Sequence, residues 1–157
     1  MDLLGALSEW RVAALLRNSG TAYALVNSAH VASIGLLFGA IVTLDLRLVG
    51  AFRQHPVAHL APPLVQVAGW GFAFATATGF LLFSVRPLAY LDNIAFQLKL
   101  GLLALAGLNV LLLKINPRWR VAVGGGTPLA SVRAAALVSL ILWMATIVAG
   151  RWIGFLM

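Results

Sequence analysis

The sequence predicts an all-α integral membrane protein, a four-helix bundle preceded by a short N-terminal interfacial helix, and three observations predict it. Hydrophobic residues make up 62% of the 157-residue chain and charged residues only 10%. The mean hydropathy is +0.99, and so little charge does not suit a water-soluble domain. The charges bracket uncharged runs, each long enough for the ~20 residues that a helix needs to cross a ~30 Å hydrocarbon layer. Four such spans fill the chain, which is read as one transmembrane domain over residues 1-157 with no room for a second, catalytic domain.

Residues 1 to 18 do not read as a cleaved signal, because Asp2 and Glu9 stand where a positive region belongs and the apolar run is broken. Leu3, Leu7, Trp10 and Ala14 recur at helical spacing beside Arg11 and Arg17, the pattern of a helix lying at the interface. The first span is expected at about 21-44, between Arg17 and Asp45. The second, at about 64-84, begins after Pro62 and Pro63 and ends before Arg86 and Pro87. The third, at about 93-113, lies between Asp92 and Lys114 and contains one charge, Lys99. The fourth, at about 131-153, follows a loop holding Asn116, Pro117, Arg118, Arg120 and the run Gly124, Gly125, Gly126.

The net charge of +7 does not indicate nucleic acid, since the Lys and Arg residues are scattered singly between apolar runs and form no basic face. They suit membrane flanks, and the lipid bilayer is the expected partner. With no cysteine, the chain cannot carry disulfides, covalent c-type haem or iron–sulfur clusters. Arg47, Arg53, Lys114, Arg118, Arg120 and Arg133 fall on the first and third loops, against Arg11, Arg17, Arg86 and Arg151 on the other side. The excess places those two loops in the cytoplasm and both termini outside, as in a bacterial cytoplasmic (inner) membrane.

Function is sought among polar groups inside the hydrocarbon, where each costs a few kcal/mol (~2–4) unless it has a partner. His30 lies about two turns into the first span, with Tyr23 and Asn27 expected on the same inward face. Lys99 lies about two turns into the third span from the same side, so the two sit within ~5 Å in depth. An imidazole and a desolvated amine at one level form a candidate metal-ligand pair. The alternatives are a neutral His30 hydrogen-bonded between helices and a Lys99 that snorkels to the head groups. Ser139, Trp143, Thr146 and Gly150 form one stripe of the fourth span, suited either to a flat prosthetic group or to ordinary packing. Arg86 and Arg151, at the outer ends of the second and fourth spans, suit the carboxylates of such a group, or phospholipid.

Gly35-Leu-Leu-Phe-Gly39 is a small-xxx-small motif for close helix approach, within the bundle or in a homo-oligomer. Gly69, Gly71, Thr76, Thr78 and Gly79 are expected to pack in the second span. Asp45, ending the first span, is expected to pair with Lys114 or Arg133. His55 and His59 are spaced i, i+4, but Pro56 between them and the lack of a third ligand argue against a metal site.

Ser28-Ala-His30, Gly35-Leu-Leu-Phe-Gly39, Leu44-Asp-Leu-Arg-Leu-Val-Gly50, Phe96-Gln-Leu-Lys99-Leu, Ala106-Gly-Leu-Asn109 and Gly150-Arg151 resemble an uncharacterised bacterial family of four-span membrane proteins. More distantly, a first-span histidine, Thr78-Gly79, then lysine and asparagine in the third span are similar to the copper-resistance D family and to the membrane protoporphyrinogen oxidase HemJ. The latter resemblance implies haem b held between His30 and Lys99. HemJ's fuller pattern of charged residues is absent, so its oxidase activity is not implied, and no set of catalytic residues stands out.

Three functions are therefore expected to compete. One is a haem b protein with an electron-transfer or redox role, an enzyme only if a haem-dependent oxidoreductase. The second is copper handling, disfavoured because no cysteine and only Met144 within a span supply soft ligands. The third is a cofactor-free subunit of a larger membrane complex. The charge count itself is testable: reporter fusions should show the Gly124–Gly126 loop in the cytoplasm and the C-terminal end outside. A cytoplasmic signal at the C-terminal end with none at the loop would reverse the orientation.

Overall fold

The computed structural model describes residues 3–156, with the backbone alone at Leu3; Asp2 lies outside the described residues. Among these residues the chain is 87% helical and has no strand, which makes it all-α. The helices are α1 (Leu3–Ser8), α2 (Arg11–Asn18), α3 (Gly20–Val49), α4 (Val57–Val85), α5 (Pro87–Leu91), α6 (Ile94–Ile115), α7 (Pro117–Val123) and α8 (Ala130–Leu156). Helices α3, α4, α6 and α8 are each long and apolar enough to cross a membrane, so the chain is a multi-pass membrane protein.

Local chemistry sets where these helices begin and end. Ser19 caps α3 by accepting from the Ala22 N–H at 3.2 Å. Gly50, at φ 128°, closes it in a conformation that a side chain would resist. Asn93 caps α6 by accepting from the Ala95 and Phe96 N–H groups, and its amide donates across to the Ile153 carbonyl at 3.3 Å. Pro87 and Pro117 open α5 and α7, where a missing N–H costs nothing. Two expectations are corrected. The N-terminal segment is two helices rather than one, and the seam it buries runs through Ala13 and Leu16 while Trp10 is exposed. Helix α4 begins at Val57, with Pro62 and Pro63 inside it, so the carbonyls of Ala58 and His59 lack their helical donors.

Helix α3 packs on α4 and α8, and α6 packs on α8, but among the described residues α4 and α6 make no close backbone approach. Side chains bridge that gap at both ends. At the α5 end, Phe83, Tyr90 and Phe96 form a triad with ring centroids 5.3–6.0 Å apart. At the α7 end, Leu48, Val57, Ala61, Val132 and Ala136 form a core that Leu113 and Trp119 close. Between them, Leu37, Ala106 and Trp143 meet at mid-depth.

The interior is built from small residues, with Ala40, Ala61, Ala95, Ala106, Ala136 and Ala149 buried while Leu36, Phe72, Leu98 and Ile141 are exposed. That inverts a soluble core and follows from lipid being as apolar as leucine: association depends on close packing rather than on burial from water. The tightest approach is at Gly71, where an added Cβ would lie 2.6 Å from the Leu37 backbone nitrogen and 3.0 Å from the Ser33 carbonyl oxygen. Gly35, Gly39 and Gly69 meet nothing within 4 Å. The Gly35–Gly39 motif is thus not used inside the bundle. Gly71→Ala is therefore expected to cost about 1–3 kcal/mol of stability, and Gly39→Ala close to none in a detergent-isolated monomer. Thermal unfolding of both variants checks this, and equal melting temperatures would contradict the assigned contact.

Candidate functional site

His30 projects from α3 into a slot on α4. A Cβ built on Gly79 would lie 3.0 Å from the imidazole Cε1, so a side chain here would push the ring from its place. Its Nδ1 lies 3.0 Å from the Thr78 hydroxyl oxygen. That hydroxyl has one proton, already donated to the Phe74 carbonyl at 2.6 Å, with the Ala75 carbonyl as a longer partner at 3.3 Å. With that proton on the Phe74 carbonyl, Thr78 accepts from His30 in the Nδ1–H tautomer, in which Nε2 carries the lone pair. A hydrogen bond that fixes the tautomer and aims the other nitrogen is the usual support behind a histidine ligand.

Lys99 comes from α6 and lays its stem on α8. A Cβ on Gly150 would stand 3.6 Å from Lys99 Cδ, Cε and Nζ, an ordinary packing distance, so the stem lies directly against α8 at this residue. The ammonium has no ion-pair or hydrogen-bond partner among the described residues, and it is near enough to His30 to act on it electrostatically. The α6–α8 seam is pinned on both sides of this point, by Asn93 to Ile153 and by the Asn109 amide, which donates to the Ala135 carbonyl at 3.0 Å. Leu37 and Trp143 touch across α3 and α8, and His30 and Gly150 each lie about two turns from that contact toward the α5 end. His30, Gly79, Lys99 and Gly150 thus share one level.

No family model, curated protein or solved structure matches this chain. The site is therefore read from its own chemistry.

Other expected members fall differently. Asn27 is exposed: the inward seam of α3 follows Val26, His30, Ser33, Leu37 and Ala40, and Asn27 is turned ~100° from Val26 onto the outer surface. Tyr23 and Arg86 line a cavity at the α5 end, beyond the His30 level. Trp143 is buried in the mid-depth core with its indole N–H unpartnered. Ser139 and Thr146 are buried on the same stripe. Arg151 follows Gly150 and rests 5.2 Å from the Phe155 ring centre. Met144 is exposed. His55 and His59 are exposed, and no group of three or more His, Cys, Asp or Glu gathers among the described residues.

Asp45 departs most from expectation. Pairing with Lys114 or Arg133 does not occur; the carboxyl is buried beside Ser139 of α8, and its Oδ2 has no hydrogen-bond partner. Both expected partners are exposed, and long flexible cations gain little by leaving head groups and water to follow a carboxyl into the bundle. Asp45→Asn preserves the shape and removes a group that is costly to bury as a charge. Its melting temperature in detergent should equal or exceed the parent's, and a drop of several degrees would show that the carboxylate is needed there as an anion.

Proposed function

We propose that the chain is a haem b-binding protein of the bacterial cytoplasmic (inner) membrane, with both termini outside and a role in electron transfer or redox chemistry. The observation that carries this reading is the His30 imidazole, whose Nδ1 is fixed on Thr78 so that Nε2 is a free donor at the level of an unpartnered amine. The donor set suits the group. Imidazole is a common ligand for haem iron, so His30 would hold the group, and the Lys99 amine in its neutral form would be a second nitrogen donor. Gly79 leaves room where a side chain would crowd His30. Haem b would supply a one-electron iron couple when bound.

The residues of the chain do the rest. Thr78 orients His30 and holds its proton at Nδ1. The aromatic triad and the α7-end core close the gap between α4 and α6 on either side of the ligands. Arg151, adjacent to Gly150, is the cation placed to meet carboxylates leaving the site toward the α5 end. Copper handling is less well supported, since Met144 faces outward and no cysteine is present. A cofactor-free assembly subunit is favoured by one observation, the open Gly35 and Gly39 surface on α3. That surface would suit a second copy or another helix in a larger membrane complex.

The decisive experiment is the optical spectrum of protein purified in detergent after haem-replete expression. The parent should show a Soret band. His30→Ala should lose haem by at least about tenfold, and Thr78→Val by about tenfold through the loss of ligand orientation. Lys99→Ala should retain some haem in a changed spin state, and Lys99→His should give a bis-histidine low-spin spectrum where the shorter side chain reaches the iron. A parent without a Soret band favours the assembly reading. An unchanged spectrum in Lys99→Ala removes the lysine from the ligand set and leaves His30 alone.

A further inference from the structure

A cavity of about 330 Å³ opens at the α5 end where α2, α3, α4 and α5 meet. Its walls divide by chemistry. Leu16, Leu82 and Val85 make an apolar floor, while Arg17, Arg86, Tyr23 and Tyr90 supply donors, and none of the lining residues is acidic. Gly20, the first residue of α3, also faces the space, so the N-terminus of a 30-residue helix adds its partial positive charge.

Two of the donors are held in place. Arg17 donates through Nη2 to the Ser8 carbonyl at 2.7 Å, which fixes the guanidinium and leaves its remaining N–H groups free. Tyr90 stands beside Tyr23 and Arg86, and burial, reinforced by Tyr23 and opposed by Arg86, pushes its hydroxyl up to about 12. It is therefore a neutral donor at physiological pH. Two guanidiniums and a hydrogen-bonded phenol pair, which keeps one O–H free, converge with no carboxylate among the described residues, a donor set for an oxyanion with several acceptor oxygens.

We propose that this cavity binds a phosphate oxyanion, and that its source is the head group of an anionic phospholipid. The location selects the lipid. The cavity lies where α3 begins and α4 ends, at head-group depth for a chain that spans the membrane, and its apolar floor has no use for a fully solvated inorganic ion. Its volume admits a phosphodiester with part of its glycerol. Binding there ties α2 to the ends of α3 and α4 and gives Arg86 and Tyr23 a partner other than haem carboxylates. It does not depend on haem being bound.

The test uses the full chain in neutral detergent, with added phosphatidylglycerol, phosphatidylcholine or inorganic phosphate, and reads bound lipid and melting temperature. Phosphatidylglycerol should bind at least about fivefold more tightly than phosphatidylcholine, from about 1 kcal/mol per cation near the surface. Arg17→Gln with Arg86→Gln should abolish that preference, whereas Arg118→Gln with Arg120→Gln, at the opposite end, should keep it. Tyr90→Phe retains both charges and should lower the preference only in part. Circular dichroism verifies that each variant folds, and Arg86→Gln alone serves where the double variant does not. A preference that survives in folded Arg17→Gln/Arg86→Gln overturns the site. Stabilisation by inorganic phosphate equal to that by phosphatidylglycerol overturns the lipid as its source.

Discussion

The close approach of α3 and α4 at Gly71 is the constraint on which the site depends. Inside a bilayer, helices gain nothing by hiding leucines from a solvent that is itself apolar, so backbones must come near enough for dispersion and short polar contacts to hold them. Gly71 allows this by resting against the backbone of Leu37 and Ser33. Two turns along the same face, Gly79 meets α3 again, and there the space is taken by the His30 ring. Without the first contact, the second would have no slot. The position of the imidazole and its bond to Thr78 follow from helix spacing before any ligand is considered.

The hydroxyls inside the bundle show what ordinary polar residues do at such depth. Ser33, Thr78 and Thr146 each donate to the carbonyl four residues earlier in their own helix, so each is satisfied without help from a neighbour. Thr78 differs only because its oxygen also accepts, and that second use turns a packing residue into the support for His30. Against this background of self-contained groups, the exceptions are informative. Among the described residues Lys99 has no partner, Asp45 leaves one oxygen bare, Ser131 its hydroxyl and Trp143 its N–H. Only Lys99 lies at the His30 level, which is why the haem proposal rests on that pair rather than on Trp143.

Much of the fold was legible because hydropathy and the placing of charges act along the chain. The runs around Arg17, Asp45, Arg86, Asp92, Lys114 and Arg133 are visible without knowing which helix meets which. Pairing was not legible, because spans that are apolar on every side carry little periodicity to mark the inward face. The Gly35–Gly39 motif has the right spacing for close packing, yet α3 turns that face outward and uses Ser33, Leu37 and Ala40 instead. Asn27 was misplaced for the same reason. His30 and Lys99 were legible as oddities of polarity, and Thr78-Gly79 as a small polar pair, but the bond joining His30 to Thr78 is a contact across two helices that no local pattern encodes. The aromatic triad of Phe83, Tyr90 and Phe96 left no signal, since aromatics are unremarkable in an apolar chain.

The two ends of the bundle divide the work. At the α7 end, Leu48 and Val132 are fully buried in a continuous apolar core that joins α3, α4 and α8 and is closed by α6 and α7. At the α5 end the packing is looser and more polar: Gly79 makes room for His30, a cavity opens behind Tyr23, and the arginines have no carboxylate partner among the described residues. A site needs groups held away from their own best partners, and that is affordable only where other packing keeps the helices together. At the α7 end a ligand pair would have to displace Leu48, Val57, Ala61, Val132 or Ala136 from the core that joins α3, α4 and α8. Placing the pair at mid-depth would displace Leu37, Ala106 and Trp143, the contact that sets His30 level with Lys99. The position of the His30 and Lys99 nitrogens toward the α5 end therefore follows from where the bundle can tolerate them.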